Sequence, residues 1–333
     1  MEHLPFRPKR FVSGKHAQTI YNTFFPPSNR LRTDYYCEDI LLTVSGNSGD
    51  TLWLEHNPPI SSYRQDSTPW NGTYIVMIHG MEGDSESPYL ISLAQSALER
   101  GYGTLRMNLR NCGKGRGYAK YSYYAGQSED LQDVLDFARD SLSAKVVVSG
   151  FSLSANLVLK FFGERSDRKA MAFSAVSPPL DLAKNCAFID SLAGRFYREH
   201  FLNAFRRKIK EGIVELAPEV RANLGNVKTF FDFDDLITAP TFGYRSALDY
   251  YKINSCKNYI RTIRHPGILV HAEDDPVVPI FEWDSIPWEN LPNLQVLLTK
   301  KGGHVGFLSD RSPAVPDGHW VTKILLDYFD SKL

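Results

Sequence analysis

The sequence predicts an α/β fold, a mostly parallel sheet flanked by helices on both faces. Short, wholly apolar runs such as Tyr74-Ile75-Val76-Met77-Ile78 alternate with helical patterns and are bounded by Gly, Asn and Asp. Strands apolar on every residue are those of parallel sheets covered on both sides. One run, Lys145-Val146-Val147-Val148, passes through Ser149-Gly150-Phe151-Ser152 straight into a helical pattern. Ligand sites of such sheets lie outside the carboxyl ends of the strands.

Taken in order, the first 60 or so residues hold a loop-like segment and two strands, near 39–44 and 51–55, joined by a turn of Gly, Asn and Ser. Strand 74–78 leads to a helix over 88–100, closed by Gly101. A strand at 104–107, a helix at 130–141, strand 145–148, a helix at 154–162 and a strand at 171–176 follow. From Pro179 to Cys256 the alternation stops. Aromatic and charged residues predominate and strand runs are missing, so 179–256 reads as a helical cap inserted before the strand 268–270. Core segments are thus 1–178 and 257–333, the second closing with strand 294–298 and a helix over 319–329.

The 333 residues suffice for a large core without metal or disulfide staples. Lys plus Arg and Asp plus Glu number 38 each, a balance that argues against bulk nucleic-acid binding. Cys37, Cys112, Cys186 and Cys256 show no ligand spacing, so reduced thiols and no metal site or cofactor are expected. No secretory signal precedes the core and no apolar run reaches the ~18 residues that span a bilayer; the expectation is a soluble cytoplasmic protein. Asn71-Gly72-Thr73 reads as a turn before a strand. Gly113-Lys114-Gly115-Arg116-Gly117 matches no nucleotide fingerprint and reads as a mobile basic loop.

A serine at a strand-to-helix turn is the context in which a GxSxG-like match has meaning. The backbones nearly touch two residues either side of the nucleophile, so those positions must be small. Ser152 has Gly150 upstream and Ser154 downstream, whereas Ser149 and Ser154 as nucleophiles would have bulkier neighbours there. The bland reading is a serine that merely caps a helix. A serine hydroxyl needs an imidazole to take its proton. His304, in Lys301-Gly302-Gly303-His304-Val305-Gly306-Phe307, follows the last strand with small residues on both sides. The acid that orients the imidazole should follow strand 268–270, where Glu273, Asp274 and Asp275 all stand; Pro276 favours Asp275 only modestly. Two backbone N–H groups should form the oxyanion hole: that of Leu153, and that of Met81 in His79-Gly80-Met81-Glu82-Gly83. His79 itself reads as structural.

These motifs resemble the YheT-like branch of the α/β hydrolases, also called AB hydrolase family 4, over nearly the whole chain. His16-Ala17-Gln18-Thr19-Ile20 is similar to its N-terminal HxQTI segment, and Asn108-Leu109-Arg110-Asn111-Cys112-Gly113 to its NxRGCG turn. Tyr124-Ala125-Gly126-Gln127-Ser128-Glu129-Asp130-Leu131 is similar to a third family segment, and the 272–276 and 302–307 stretches to its acid and histidine motifs. The resemblance implies an α/β-hydrolase fold, with Ser152 as nucleophile, Asp275 as acid and His304 as base. It departs at the elbow, where GFSLGGN is usual and this chain has Ser154-Ala155. Substrates of the branch are ester hydrolases' and acyltransferases' alike: small-molecule or lipid carboxylic esters. The expected activity is therefore ester hydrolysis through an acyl-enzyme, with alcohol O-acyl transfer as the alternative and a non-catalytic binding protein as the second. A carboxylate-nucleophile hydrolase is excluded by Ser152. In the cap, Phe201, Phe205 and Ile209 at helical spacing beside Arg206, Arg207, Lys208 and Lys210 read as a helix lying on the core with solvated charges. A basic, apolar lip making transient membrane-surface contact is the sharper reading.

Overall fold

The computed structural model describes residues 4–45, 49–166 and 169–333. Among these, eight strands form one sheet, β1 (Glu38–Thr43), β2 (Thr51–Asn57), β3 (Thr73–Ile78), β4 (Gly103–Met107), β5 (Lys145–Phe151), β6 (Ala172–Val176), β7 (Gly267–Ala272) and β8 (Leu294–Thr299), in the order β1-β2-β4-β3-β5-β6-β7-β8. The β1–β2 and β2–β4 pairs are antiparallel and all others parallel. The mostly parallel sheet was legible in the unbroken apolar runs. Gly46-Asn47-Ser48 of the expected β1–β2 turn lie outside the described residues.

Period-two geometry sends alternate residues to opposite faces. Val76, Ile78, Val146 and Val148 pack with helices α3 (Ser128–Asp140) and α4 (Leu153–Glu164). Ile75, Met77, Val147 and Val270 pack with α2 (Pro88–Glu99) and the C-terminal helix α11 (Trp320–Asp330) on the other face. Pro88 opens α2, where its missing N–H is no loss, and Gly101 at φ +83° lets the chain leave it. The chain reverses its direction of travel across the sheet between β3 and β5, with β4 on one side and β6 on the other. That switch point is where a crevice opens at the carboxyl ends of the strands.

Between β6 and β7 the chain is helical: α5 (Leu182–Asp190), α6 (Arg195–Lys210), the short α7 (Pro218–Arg221), α8 (Phe230–Phe233) and α9 (Ala239–Thr241), and α10 (Ala247–Asn254). Asp181 caps α5 by accepting the Ala183 and Lys184 N–H groups. The N-terminal segment differs from the loop expected of it, for residues Lys15–Phe24 form a helix, α1. No side chain caps its start at Gly14. The helix is held by what it touches instead: Gln18 Nε2 donates to the carbonyls of Val12 (2.6 Å) and Leu308 (3.0 Å), and Gln18 Oε1 accepts the Leu308 N–H (2.7 Å). Asn71 forms the expected turn, accepting the Thr73 N–H at 3.0 Å.

Candidate active site

Ser152 stands alone between the last residue of β5 and the first of α4, at φ +55° and ψ −122°. A non-glycine residue there stores roughly 1–3 kcal/mol of strain and persists only where its surroundings over-determine it. Here they do. The Ser152 N–H donates to the Val176 carbonyl at 2.8 Å. A Cβ at Gly150 would lie 2.5 Å from the Ser154 carbonyl oxygen, and one at Gly80 would lie 2.9 Å from the Ser152 Cβ. Ser154, where the resemblance expects glycine, has a use of its own. Its hydroxyl is buried and donates to the His79 carbonyl at 2.5 Å, tying the start of α4 to the loop after β3.

The Ser152 hydroxyl lies 2.8 Å from His304 Nε2, and His304 Nδ1 lies 2.8 Å from Asp275 Oδ2. With Asp275 as the acceptor, the imidazole carries its proton on Nδ1 and leaves Nε2 free to accept from the serine. The other oxygen of Asp275 accepts the N–H groups of Val277 and Val278, each at 2.8 Å. Burial pushes the Asp275 carboxyl up, but the His304 imidazole and these hydrogen bonds outweigh it and hold the group below the usual carboxylate range. The three neighbouring acids separate by position. Asp274 accepts the Gly303 N–H at 2.9 Å, steadying the histidine loop from below, and Glu273 pairs with exposed Lys300 at 2.8 Å.

The histidine loop is fastened by helix α1. Thr19 Oγ1 accepts the His304 N–H at 2.9 Å, across 285 residues of chain. Gly303, at φ +61°, passes so close to α1 that a Cβ would meet the Lys15 carbonyl and the Thr19 hydroxyl. His16 stacks on Tyr197 of α6, with Nδ1 2.9 Å from the phenol oxygen. Tyr197 in turn packs on Val277 and Val278 beside Asp275. The segment His16-Ala17-Gln18-Thr19 thus braces the loops of His304 and Asp275 together.

After β3 the chain makes a tight turn in which the Gly83 N–H donates to the Gly80 carbonyl at 3.1 Å. Among the described residues neither the Met81 nor the Leu153 N–H is taken up by a hydrogen bond. Both residues line, with Ser152, a cavity that runs under α5, α6 and α8. Its walls are mainly apolar and aromatic: Leu182, Ile189, Phe201, Phe205, Ile209, Phe230, Phe233 and Val277. Phe205 and Phe233 stack at 4.7 Å.

The structure brings Ser152, Asp275 and His304 into one hydrogen-bonded chain and sets Met81 and Leu153 beside it. His79 is fully buried with both nitrogens engaged, Nδ1 on the Gly80 carbonyl and Nε2 accepting from Leu109 N–H. Burial lowers its pKa to about 4, so it stays neutral. Two cap readings are corrected. Phe201, Phe205 and Ile209 face the cavity, so they form no outward lip, and Lys208 is buried where a solvated charge was expected. The basic loop at 113–117 is also tethered, Lys114 pairing with the buried Glu55 at 2.7 Å. The parts that sequence reasoning missed are Thr19 and Gln18, whose motif was visible but not its contact, and the burial of Lys208.

Residues 73–310 match the family model described as alpha/beta hydrolase fold, and the chain belongs to that family. Within it the chain falls in the YheT-like branch. It is 29% identical to the Escherichia coli (strain K12) protein YheT over 91% of this chain and 87% of that one. It is 32% identical to a monoacylglycerol lipase of Saccharomyces cerevisiae over 72% of this chain, spanning 55% of that longer protein. The phospholipase ABHD3 of Mus musculus is 25% identical over 82% of this chain and 66% of its own. Among solved structures, the Pyrococcus furiosus esterase Pf2001 superposes with a TM-score of 0.59 at 18% identity, covering all of this chain and 99% of its own, a likeness of fold.

Proposed function

We propose that this chain hydrolyses carboxylic esters of apolar acyl groups by a serine mechanism. Ser152 is the nucleophile, His304 the general base and acid, Asp275 the group that orients it, and Met81 and Leu153 the oxyanion donors. The observation that carries the reading is the unbroken chain of 2.8 Å contacts from Asp275 through His304 to Ser152 at the mouth of an apolar cavity. The family and the esterase and lipase relatives support ester hydrolysis as the reaction class.

As the ester carbonyl meets Ser152, the hydroxyl proton passes to His304 Nε2 and the oxygen bonds to the carbonyl carbon. The oxyanion accepts from the Met81 and Leu153 N–H groups, the second at the positive end of the twelve-residue helix α4. On collapse the alcohol leaves with the proton from His304. Water, deprotonated by the same nitrogen, then bonds to the acyl carbon, and the Ser152 oxygen leaves with that proton from His304, freeing the acid. Asp275 stabilises the imidazolium in both halves; losing such a partner typically lowers kcat by about 10⁴.

The apolar walls fit an acyl chain or lipid tail, with 1–178 and 257–333 as the core and 179–256 as the cap over it. Acyl transfer to an alcohol would use the same acyl-enzyme; one relative is named a medium-chain fatty acid ethyl ester synthase/esterase. Product analysis with and without added ethanol separates the two. The decisive experiment is covalent labelling by a fluorophosphonate, together with p-nitrophenyl esters of rising chain length. Labelling and hydrolysis should be lost in Ser152→Ala, and a wild type that neither labels nor hydrolyses would leave a binding protein with the fold.

A further inference from the structure

We infer that Lys208 of α6 is a positioning residue for the oxyanion loop, through Glu82 and Tyr123, so that the cap helix must be seated for the Met81 N–H to be aimed. The inference rests on the reading of Met81 as an oxyanion donor. Glu82 occupies the third position of the Gly80–Gly83 turn at φ +56°, a conformation in which glycine is the unstrained residue. A glycine would relax the turn but would carry no tether, and here the side chain is the tether.

The Glu82 N–H donates to the Tyr123 hydroxyl at 2.9 Å, and that hydroxyl donates back to Glu82 Oε1 at 3.0 Å. Lys208 Nζ donates to the same carboxylate oxygen at 2.8 Å and sits 5.4 Å from the centre of the Tyr123 ring. The ion pair is closed off from water, with the two side chains 3% and 6% exposed. Buried charges of this kind are costly to separate, so the pair has essentially two states, docked or broken. Met81, next in sequence to Glu82, has the same turn for its backbone. Docking Lys208 therefore fixes the Met81–Glu82 peptide, and with it the turn that carries the Met81 N–H, and Lys208 reaches that turn from a helix that is otherwise cavity wall. Cap and oxyanion loop are joined by one lysine.

The test compares Lys208→Met, Glu82→Gln and the double variant, with Arg207→Met, exposed on the same helix, as control. Steady-state kinetics with a p-nitrophenyl ester and affinity for a trifluoromethyl ketone, whose adduct oxygen occupies the oxyanion site, are measured together. Lys208→Met should lower kcat 10- to 100-fold, part of the loss expected for a missing oxyanion donor, with KM within threefold. Ketone affinity should fall by the same factor. The double variant should be more active than Lys208→Met, because the neutral amide no longer leaves a buried charge without its cation, and Arg207→Met should match wild type. A kcat within twofold of wild type, a loss confined to KM, or a double variant no better than the single would overturn the inference. Should Lys208→Met fail to fold, Glu82→Gln decides: about a tenfold loss in kcat supports it and wild-type kcat overturns it. The ester-hydrolase reading is judged separately, by wild-type turnover and Ser152 labelling; an active, labelled wild type with an indifferent Lys208 removes this inference alone.

Discussion

Replacing Thr19 by valine tests whether α1 belongs to the active site or merely lies near it. Valine keeps the shape and β-branching of threonine but cannot accept the His304 N–H now held at 2.9 Å. His304 is 7% exposed, so water cannot readily take the place of the lost acceptor. A buried donor left without a partner costs about 1–3 kcal/mol, and the loop can escape that cost only by moving. Movement carries the imidazole with it, and a displacement of about 1 Å in a reacting group is worth on the order of 10² in rate. Thr19→Val should therefore lower kcat and the rate of fluorophosphonate labelling by about 10- to 100-fold. Its melting temperature should fall by roughly 1–4 degrees. Thr19→Ser, which restores the oxygen, should stay within threefold of wild type. Were Thr19→Val to keep wild-type kcat and melting temperature, the brace would be incidental and the base would be held by its own loop.

Three further outcomes follow from the same contacts. Ser154→Gly, which supplies the usual family residue, should cost about 1 kcal/mol of stability through the lost bond to the His79 carbonyl while kcat stays within a few-fold; a kcat collapse in denaturant-free buffer would show that Ser154 acts in the chemistry itself. Burial pulls the pKa of His271 from its ordinary 6.5 down to about 4 despite the opposing pull of Asp275, so between those values the unfolded chain binds a proton that the fold refuses. Stability should fall as pH drops through that window, by about 2 kcal/mol from this ring at pH 5. Urea midpoints at pH 7 and 5 should differ less in His271→Phe, which can keep the stack on Trp283, and an equal slope in both proteins would refute the account. Ile209→Trp, projecting into the cavity, should lower kcat/KM for p-nitrophenyl decanoate at least tenfold more than for the butyrate, and equal losses would place the acyl chain elsewhere.

Much of this architecture was legible because local sequence and global position agree. A run such as Val146-Val147-Val148 is apolar on both faces because it lies in mid-sheet, with Thr73–Ile78 on one side and Ala172–Val176 on the other. Ser152 was legible because the elbow needs small residues at fixed offsets, and His304 because its loop is rich in glycine. What escaped was contact across long separations. Helix α1 carries no capping side chain and is only ten residues long, so nothing local marks it; Gln18 and Thr19 make it a helix by binding the far end of the chain. Asp274 and Asp275 differ by which way one turn faces, a matter of backbone rather than composition. Lys208 sits among exposed Arg206, Arg207 and Lys210; its place seven residues after Phe201 and three after Phe205 puts it on the buried face, but nothing local names the distant carboxylate it meets there. The departure at Ser154 looked like a flaw in the elbow until its hydroxyl had a partner.

The bond between Thr19 and His304 has a consequence for when the protein can act. A nascent or partly unfolded chain can build the elbow early, because β5, Ser152 and α4 are contiguous. It cannot hold His304 fully in register with that serine until segments separated by nearly the whole polypeptide have met. On the proposed mechanism, reactivity at Ser152 then reports on completed tertiary structure, and is at least tenfold weaker in any intermediate whose two distant ends have not yet come together.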